Sequence, residues 1–317
     1  MTTNERPPKG AAAAKVSAWR LGGLSWRTLL RRIWRELYEG GLLTHAAALA
    51  FYFLFALFPL LLFLATFLAI FGETGAELQS ILLRFLGRIA PPSAFALVDS
   101  TIGEIGSVAG GGRLVLGLIS ALWLASLGIA ALSESLNAMY GVHETRSWWR
   151  VRLIAIALTV VLITLILCAL LAMMYGGEFG MNIADHFQQG RLFSALWSIV
   201  QVPLALLFAL LVFALIYYYA PDLLEQKWYW ITPGSLLAVI LWVLVSALLR
   251  TYLQHFDMYS RTYGSLGAVI ILMLWFYLTG AAILLGGKIN AEIENAAAKA
   301  GVPDAKRRGD KEPGEHD

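Results

Sequence analysis

The chain is poor in charged residues and has almost no cysteine. Of its 317 residues only 14% are charged and 59% are hydrophobic, whereas about 25% charged residues is usual in soluble domains. The mean hydropathy is +0.68. The single cysteine, Cys168, lies inside an apolar run, which excludes an internal disulfide, a CxxC redox pair and a cysteine-rich zinc site. This composition indicates an integral membrane protein.

Motifs that carry chemistry are also scarce. The five histidines are at positions 45, 143, 186, 255 and 316, and no two have the spacing at which a helix presents two metal ligands. The sequence has neither an HExxH motif nor a GxxxxGKS/T phosphate loop. A metal-dependent nuclease needs clustered carboxylates or histidines. We therefore expect no enzyme, no metal and no cofactor, and the net charge of +3 is too small to indicate a nucleic-acid partner.

What the sequence does contain is long apolar stretches. A helix needs about 20 apolar residues to cross the hydrocarbon core of a bilayer, and no Asp, Glu, Lys, Arg or His occurs in the six stretches that reach this length. These stretches are 46–71, 114–133, 153–175, 192–219, 231–249 and 266–287. Because backbone groups in lipid must be paired within the segment, each stretch is predicted to be a helix. The predicted fold is all-α, a polytopic membrane protein with six transmembrane helices.

The distribution of basic residues predicts the orientation of the chain. Of the 24 Lys and Arg residues, 18 fall on the side that holds both termini and six on the other side. The excess of positive charge marks the cytoplasmic side, so both termini are expected there, with the protein in the inner (plasma) membrane. The predicted organisation is a disordered basic arm over 1–24, a membrane domain over 25–295 and a disordered cytoplasmic tail over 296–317.

Two segments outside the spans carry amphipathic patterns. Residues 25–41 predict a helix that begins at Ser25, with apolar residues on one face and basic residues on another. Such a helix is typical of one that lies on a membrane surface, where Arg27, Arg31, Arg32 and Arg35 would meet anionic lipid headgroups. The alternative is that it packs against the bundle. The external loop 72–113 also shows helical patterns. It is either a functional element or a cap over the bundle.

Polar residues gather where the apolar stretches begin or end on the predicted cytoplasmic side. These residues are His45, Glu134, Asn137, Lys288, Asn290 and Glu292. We expect one polar cluster at the inner mouth of the bundle, in which Glu134 pairs with Lys288. The alternative is that each long side chain reaches the headgroup level separately.

The spans themselves hold only uncharged polar and kinking residues. Gln201 and Pro203 lie in the fourth stretch and Pro59 lies in the first. Proline frees a backbone carbonyl and can bend a helix, so these residues are candidates for a flexible or cavity-lining region. The alternatives are packing kinks and an interhelical hydrogen bond from Gln201. The lack of ionisable residues in the stretches argues against a proton relay.

Several of these motifs resemble one family of bacterial inner-membrane proteins, the YihY/BrkB family. The resembling runs are THAAALAFYFLFALFPLLL (44–62), ESLNAMYG (134–141), YYYAPD (217–222), TPGSLLAVILW (232–242) and YGSLGAVIILMLWFYLTGAAILLGGKINAE (263–292). The resemblance implies six spans. The family carries the labels virulence factor BrkB and, by misassignment, ribonuclease BN, and its proposed roles run toward export or envelope lipid handling.

Taken with the composition, the resemblance favours transport or handling of a lipid or another amphiphile. A different class of function is a non-transporting envelope scaffold that organises partners through its loop and tails. A ribonuclease is a remote third possibility, since the residues offer no metal-ligand cluster. The sequence indicates neither a substrate nor an oligomeric state.

Overall fold

A computed structural model describes most of the membrane domain. The described residues are 25–39, 41–69, 75–77, 79–80, 83, 111–186, 190–223, 232–255 and 265–299. The predicted arm 1–24, most of the external loop and the tail beyond residue 299 lie outside the described residues, so the predictions for them stay predictions.

The described chain is built from helices, and no strand occurs within it. The helices are α1 (Trp26–Glu39), α2 (Leu42–Ala69), α3 (Gly111–Tyr140), α4 (Trp148–His186), α5 (Gly190–Tyr219), α6 (Pro233–His255) and α7 (Ser265–Lys299). Helices α2 to α7 are long and apolar enough to cross a membrane, and each of the six predicted stretches falls largely on one of them. The predicted fold class, all-α with six spans, is confirmed.

The six long helices form a ring in sequence order. Each helix from α2 to α6 packs against the next, and α7 closes the ring on α2. Helix α7 also contacts α3 across the ring, so it is the most central element of the bundle. The short helix α1 lies against α2 and α7.

The apolar core is concentrated at one end of this ring, which we call the packed end. It comprises the starts of α2 and α6, the ends of α3, α5 and α7, and the first half of α4. Its buried members include Leu42, Leu49, Leu132, Leu136, Phe213, Tyr217, Ala238 and Leu284. Because α2 starts and α7 finishes there, the chain enters and leaves the bundle on the same side.

Glycines allow the closest helix approaches at the packed end. A Cβ added at Gly286 would lie 2.5 Å from the carbonyl oxygen of Gly234, so α6 and α7 cross there backbone to backbone. A Cβ at Gly287 would lie 2.6 Å from Cδ2 of Leu136 on α3. Small residues are the usual means of close approach between membrane helices. By contrast, nothing lies within 4 Å of a Cβ at Gly117.

Candidate functional site

The end of α3 is fixed by a glycine cap that starts the first polar loop. Gly141 has a positive φ of 69°, a conformation that favours glycine. Its N–H donates to the carbonyl of Ala138 at 3.1 Å, and Val142 N–H donates to the carbonyl of Asn137 at 3.0 Å. This pair of bonds is a Schellman motif. It turns the chain sharply, so that residues 142–147 run beside the packed end.

Asn137 connects this loop to the loop that follows α5. Its side-chain amide donates to Oε2 of Glu144 at 2.9 Å, and its side-chain oxygen accepts the backbone N–H of Asp222 at 2.7 Å. Asp222 in turn accepts hydrogen bonds from Thr145, at 2.7 Å from the backbone N–H and 2.6 Å from the hydroxyl. The two loops are thereby joined from both sides.

Arg146 completes the connection. Its guanidinium forms a fork to Glu144, with distances of 2.7 and 2.8 Å, and donates to the carbonyl of Ala220 at 3.0 Å. The ion-pair distance from its Nε to Oδ1 of Asp222 is 3.5 Å. We call Asn137, Glu144, Thr145, Arg146 and Asp222 the loop clasp. It ties the ends of α3 and α5 together.

The charges of the loop clasp shift one another's pKa values. The pKa of Arg146 is raised, chiefly by its hydrogen bonds to Glu144. Burial acts to raise the pKa of Asp222, but the hydrogen bonds from Thr145 and the positive charge of Arg146 outweigh it and lower the pKa. Both groups therefore stay ionised, which keeps the ionic part of the loop clasp intact at neutral pH.

The start of α6 forms a second polar group at the packed end. Thr232 and Ser235 cap each other, with two side-chain to backbone hydrogen bonds of 3.0 Å, a reciprocal arrangement like a capping box. Pro233 occupies the first helical position, where no N–H is needed. The N–H of Gly234 donates to the side-chain oxygen of Asn290 at 2.9 Å, and the Asn290 amide donates to Thr232 at 3.0 Å. Asn290 of α7 thus completes the cap of α6.

A third polar group holds a buried lysine. Lys288 is 2% exposed, and its Nζ lies 3.4 Å from Oε1 of Glu292, one turn later on α7. The other carboxylate oxygen of Glu292 accepts a hydrogen bond from Arg32 of α1 at 2.8 Å. Glu292 therefore carries two cationic neighbours, and the ion pair with Arg32 fastens α1 to α7.

The six polar residues named from the sequence are divided among several places at the packed end. Asn137 belongs to the loop clasp, Asn290 to the α6 cap, and Lys288 and Glu292 form a pair. His45 is half-buried near the start of α2, and Glu134 is exposed on α3. Among the described residues no hydrogen bond or ion pair joins His45 or Glu134 to the other four. The carboxylate beside Lys288 is Glu292, a different one from Glu134 of the predicted pair.

Sequence reasoning missed the loop residues of the clasp. Glu144, Thr145 and Arg146 lie in a short loop, and Asp222 ends the YYYAPD run. The available signal was an aspartate, Asp222, three residues after the aromatic helix end at Tyr219. Their meeting could not be read from sequence, because it depends on how the ends of α3 and α5 pack.

Helix α1 buries Leu29 and exposes aromatic, apolar and basic side chains. Ser25 caps it, since its Oγ accepts the N–H of Thr28 at 3.3 Å, and Leu29 is buried against the bundle. Trp26, Leu30 and Trp34 are exposed. Arg27, Arg31 and Arg35 are exposed as well, whereas Arg32 is half-buried. Helix α1 therefore packs on the bundle through part of its surface and leaves apolar and basic residues outside.

Burial along one face of α5 falls steadily away from the packed end. Positions 199, 206, 213 and 217 share that face because they are separated by seven, seven and four residues. Tyr217 is 3% exposed, Phe213 6%, Leu206 38% and Ile199 67%. Pro203, on the same face, is exposed. The face that packs into the core at one end is thus uncovered at the other.

Burial along one face of α4 also falls away from the packed end. Ala155, Thr159 and Leu162 are buried on one face, and Ile166, four residues further on that face, is 51% exposed. Helices α4 and α5 pack against each other. We call the parts of α4 and α5 that carry Ile166, Ile199, Pro203 and Leu206 the open faces.

The neighbouring helices stay packed at the corresponding depth. The indole N–H of Trp275 on α7 donates to Ser246 of α6 at 3.1 Å, and the rings of Phe53 on α2 and Phe276 on α7 are 5.9 Å apart. Packing at this depth is therefore retained between α6 and α7 and between α2 and α7. Of the candidates inside the membrane, Pro203 lies on the open face of α5, Gln201 is half-buried on the same helix, and Pro59 is half-buried on α2.

Comparisons with known proteins give a consistent family. The family model of virulence factor BrkB matches residues 33–312. The ribonuclease-like protein YfkH of Bacillus subtilis (strain 168) is 39% identical over 255 residues, which cover 80% of this chain and 90% of that protein. A UPF0761 membrane protein of Xanthomonas axonopodis pv. citri (strain 306) is 28% identical over 260 residues, or 82% of this chain. The chain spans 59% of the length of that Xanthomonas protein. No solved structure matches the chain.

Proposed function

The chain belongs to the virulence factor BrkB family of membrane proteins, and we propose that it moves or otherwise handles a lipid or a similar amphiphile. In this proposal the apolar tail of the amphiphile lies along the open faces of α4 and α5. The headgroup remains near a membrane surface. No chemical reaction is involved.

The observation that carries the proposal is the graded exposure along α5. A helix that only faced lipid would keep its core face buried over its whole length. Instead, the face that is 3% exposed at Tyr217 is 67% exposed at Ile199. Its exposed side chains are apolar, which suits an acyl chain and offers nothing to a charged solute. An apolar surface of this kind suits a tail rather than an ion.

The packed end supports the same proposal by closing one side of the bundle. The loop clasp joins the ends of α3 and α5, and Asn290 joins α6 to α7. These links hold the helices together at the packed end. In this proposal the amphiphile reaches the protein along the open faces and not through the packed end.

The proposed orientation puts the packed end in the cytoplasm, in the bacterial inner membrane. The support is the distribution of Lys and Arg, 18 on the side of the termini against six on the other. Helix α1 would then lie at the cytoplasmic surface. Its exposed arginines at positions 27, 31 and 35, with the half-buried Arg32, are proposed to contact anionic lipid headgroups.

A reconstitution experiment tests the proposal. The purified chain is placed in vesicles with a fluorescent phospholipid in both leaflets, and a membrane-impermeant reductant bleaches only the outer leaflet. We expect bleaching to continue beyond the outer half when the protein is present and to stop at that half in protein-free vesicles. Movement equal to protein-free vesicles for both neutral and anionic lipids would contradict lipid movement by this chain.

Two other functions have distinct signatures in parallel assays. If the protein is a scaffold, no lipid moves, and a chain with a substituted external loop loses its cellular role although the bundle still folds. If it is a nuclease, as the name of the Bacillus relative suggests for that relative, purified chain cleaves RNA with divalent metal. We expect RNA cleavage no faster than in buffer.

A further inference from the structure

A buried arginine lies within the second turn of α4, outside the polar groups described above. Arg152 is 6% exposed. Its Nη2 donates to the backbone carbonyl of Trp123 on α3, and its guanidinium carbon lies 4.1 Å from the centroid of the Trp123 ring. Its Nε is buried and has no hydrogen-bond partner. Arginine carries five N–H donors in a fixed fork, so most of its donor capacity is unused.

The charge of Arg152 also lacks a protein counter-charge. Within the part of the chain that the structure describes, no carboxylate lies within ion-pair distance of it. A buried charge is costly unless it is paired and hydrogen-bonded, and contact with the face of Trp123 compensates only part of that cost. By comparison, Arg146 of the loop clasp and Arg32 of α1 each have a carboxylate at hydrogen-bond distance. An anion from outside the chain would therefore stabilise the unpaired charge of Arg152.

Aromatic side chains surround this arginine near the start of α4, where a candidate membrane span begins at Trp148. Trp148 and Trp149 begin α4 and are exposed, and the Trp148 ring lies 6.0 Å from Trp123 and 4.7 Å from Trp149. Clusters of tryptophan favour the membrane–water interface. The amino-terminal end of α4 adds a partial positive charge beside them.

We propose that Arg152, Trp123 and Trp148 form a binding site for the phosphate of an anionic phospholipid. The phosphate accepts from the free edge of the guanidinium, and the tryptophans contact the glycerol and the upper acyl chains. Trp148 lies one turn before Arg152 on the same face of α4, so its exposed side chain is the one that shifts to admit the phosphate. The site goes beyond the proposed function, because it requires a lipid to be held and not to be moved.

Lipid binding to the detergent-solubilised full chain tests the site. Native mass spectrometry measures the apparent affinity for phosphatidylglycerol, for zwitterionic phosphatidylcholine and for inorganic phosphate. We expect phosphatidylglycerol to bind about 10-fold more tightly than phosphatidylcholine, and inorganic phosphate not to displace it at equal concentration. Arg152→Gln is expected to lose most of this preference.

Arg150→Gln is the matched control, since it removes the same charge from an exposed position two residues away. We expect it to change the preference less than about twofold, because exposed charges are screened. Arg152→Lys keeps the charge but not the fork, and an intermediate loss is expected. The elution volume and melting temperature of each variant show whether it folds. If Arg152→Gln does not fold, Arg152→Lys takes its place as the test of the site.

Three results would overturn the site. The first is a folded Arg152→Gln or Arg152→Lys variant that keeps the full preference for phosphatidylglycerol. The second is displacement of the lipid by inorganic phosphate at equal concentration, which would indicate a free-anion site. The third is equal affinity of the unaltered chain for the two phospholipids. Lipid movement in vesicles is measured separately, so loss of the site and loss of transport are distinguishable.

Discussion

Asn290 of α7 accepts the backbone N–H of Gly234, the second residue of α6, at 2.9 Å. The same amide donates to Thr232 at 3.0 Å, so one side chain of α7 completes the cap of its neighbour. This contact lies beside the Gly234–Gly286 crossing, where the two backbones touch. Helices α6 and α7 are thereby fixed to each other at the packed end.

Removal of the Asn290 side chain should weaken this attachment. Asn290→Ala leaves the N–H of Gly234 and the hydroxyl of Thr232 without their partner in a part-buried setting, which costs about 1–3 kcal/mol. We expect a lower melting temperature in detergent, with helix content unchanged below the transition. An unaltered melting temperature would show that water replaces the amide at no cost.

A methyl group at the α6–α7 crossing should be poorly tolerated. In Gly286→Ala the new Cβ would lie 2.5 Å from the carbonyl oxygen of Gly234 and 2.8 Å from Cβ of Ala238, so backbones must separate. Overpacking of this kind costs about 1–3 kcal/mol. Gly117→Ala is the control, because nothing lies within 4 Å of its Cβ. Thermal unfolding of both variants gives the comparison, and equal melting temperatures would contradict the crossing.

Asp222 should make the stability of the loop clasp depend on acidity. Its folded-state pKa is lowered, whereas the pKa in the unfolded chain is about 3.9. The ionised group therefore stabilises the fold above about pH 4, and this contribution is lost as the pH falls from there through the folded pKa. Asp222→Asn should be less stable than the unaltered chain at pH 7.

Melting temperatures between pH 7 and pH 3 measure that dependence. The gap between the unaltered chain and Asp222→Asn should narrow as the pH falls. The control is Glu134→Gln, which removes a carboxylate from an exposed position. Its melting temperature should match that of the unaltered chain over the same pH range. A gap for Asp222→Asn that stays constant with pH would mean that its charge does not stabilise the clasp.

The ion pair between Arg32 and Glu292 should hold α1 on the bundle. Arg32→Gln removes the 2.8 Å contact, and for a pair whose arginine is partly exposed we expect a loss of about 1 kcal/mol. That corresponds to roughly fivefold faster amide hydrogen exchange in α1. Arg31→Gln, at an exposed neighbouring position, is the control. Equal exchange in the two variants would show that apolar contacts such as those of Leu29 and Leu37 dock the helix without the ion pair.

The sequence was sufficient to predict the six spans, their order and the cap of α1 at Ser25. Hydropathy and length determine those features, because lipid demands continuous apolar helices. It was insufficient for the polar groups. Asn137, Lys288 and Asn290 lie at similar levels along the chain's helices, yet each meets different partners, since partner choice depends on helix rotation and packing.

Arg152 illustrates the same limit at a helix boundary. The apolar stretch that predicted the third span begins at residue 153, so Arg152 was counted with the loop. Helix α4 begins at Trp148, which places the arginine inside the helix against Trp123. The open faces of α4 and α5 were equally hidden, because all their residues are apolar and only the packed structure shows which of them are covered.

The most direct test of the account compares lipid movement by Leu206→Trp and Leu244→Trp in proteoliposomes. Leu206 lies on the open face of α5, and Leu244 is exposed on the side of α6 opposite its buried residues. Both variants add an indole at an exposed leucine. We predict that Leu206→Trp slows lipid movement about 10-fold or more by covering the open face of α5, whereas Leu244→Trp matches the unaltered chain. Equal rates for the two variants would contradict the account.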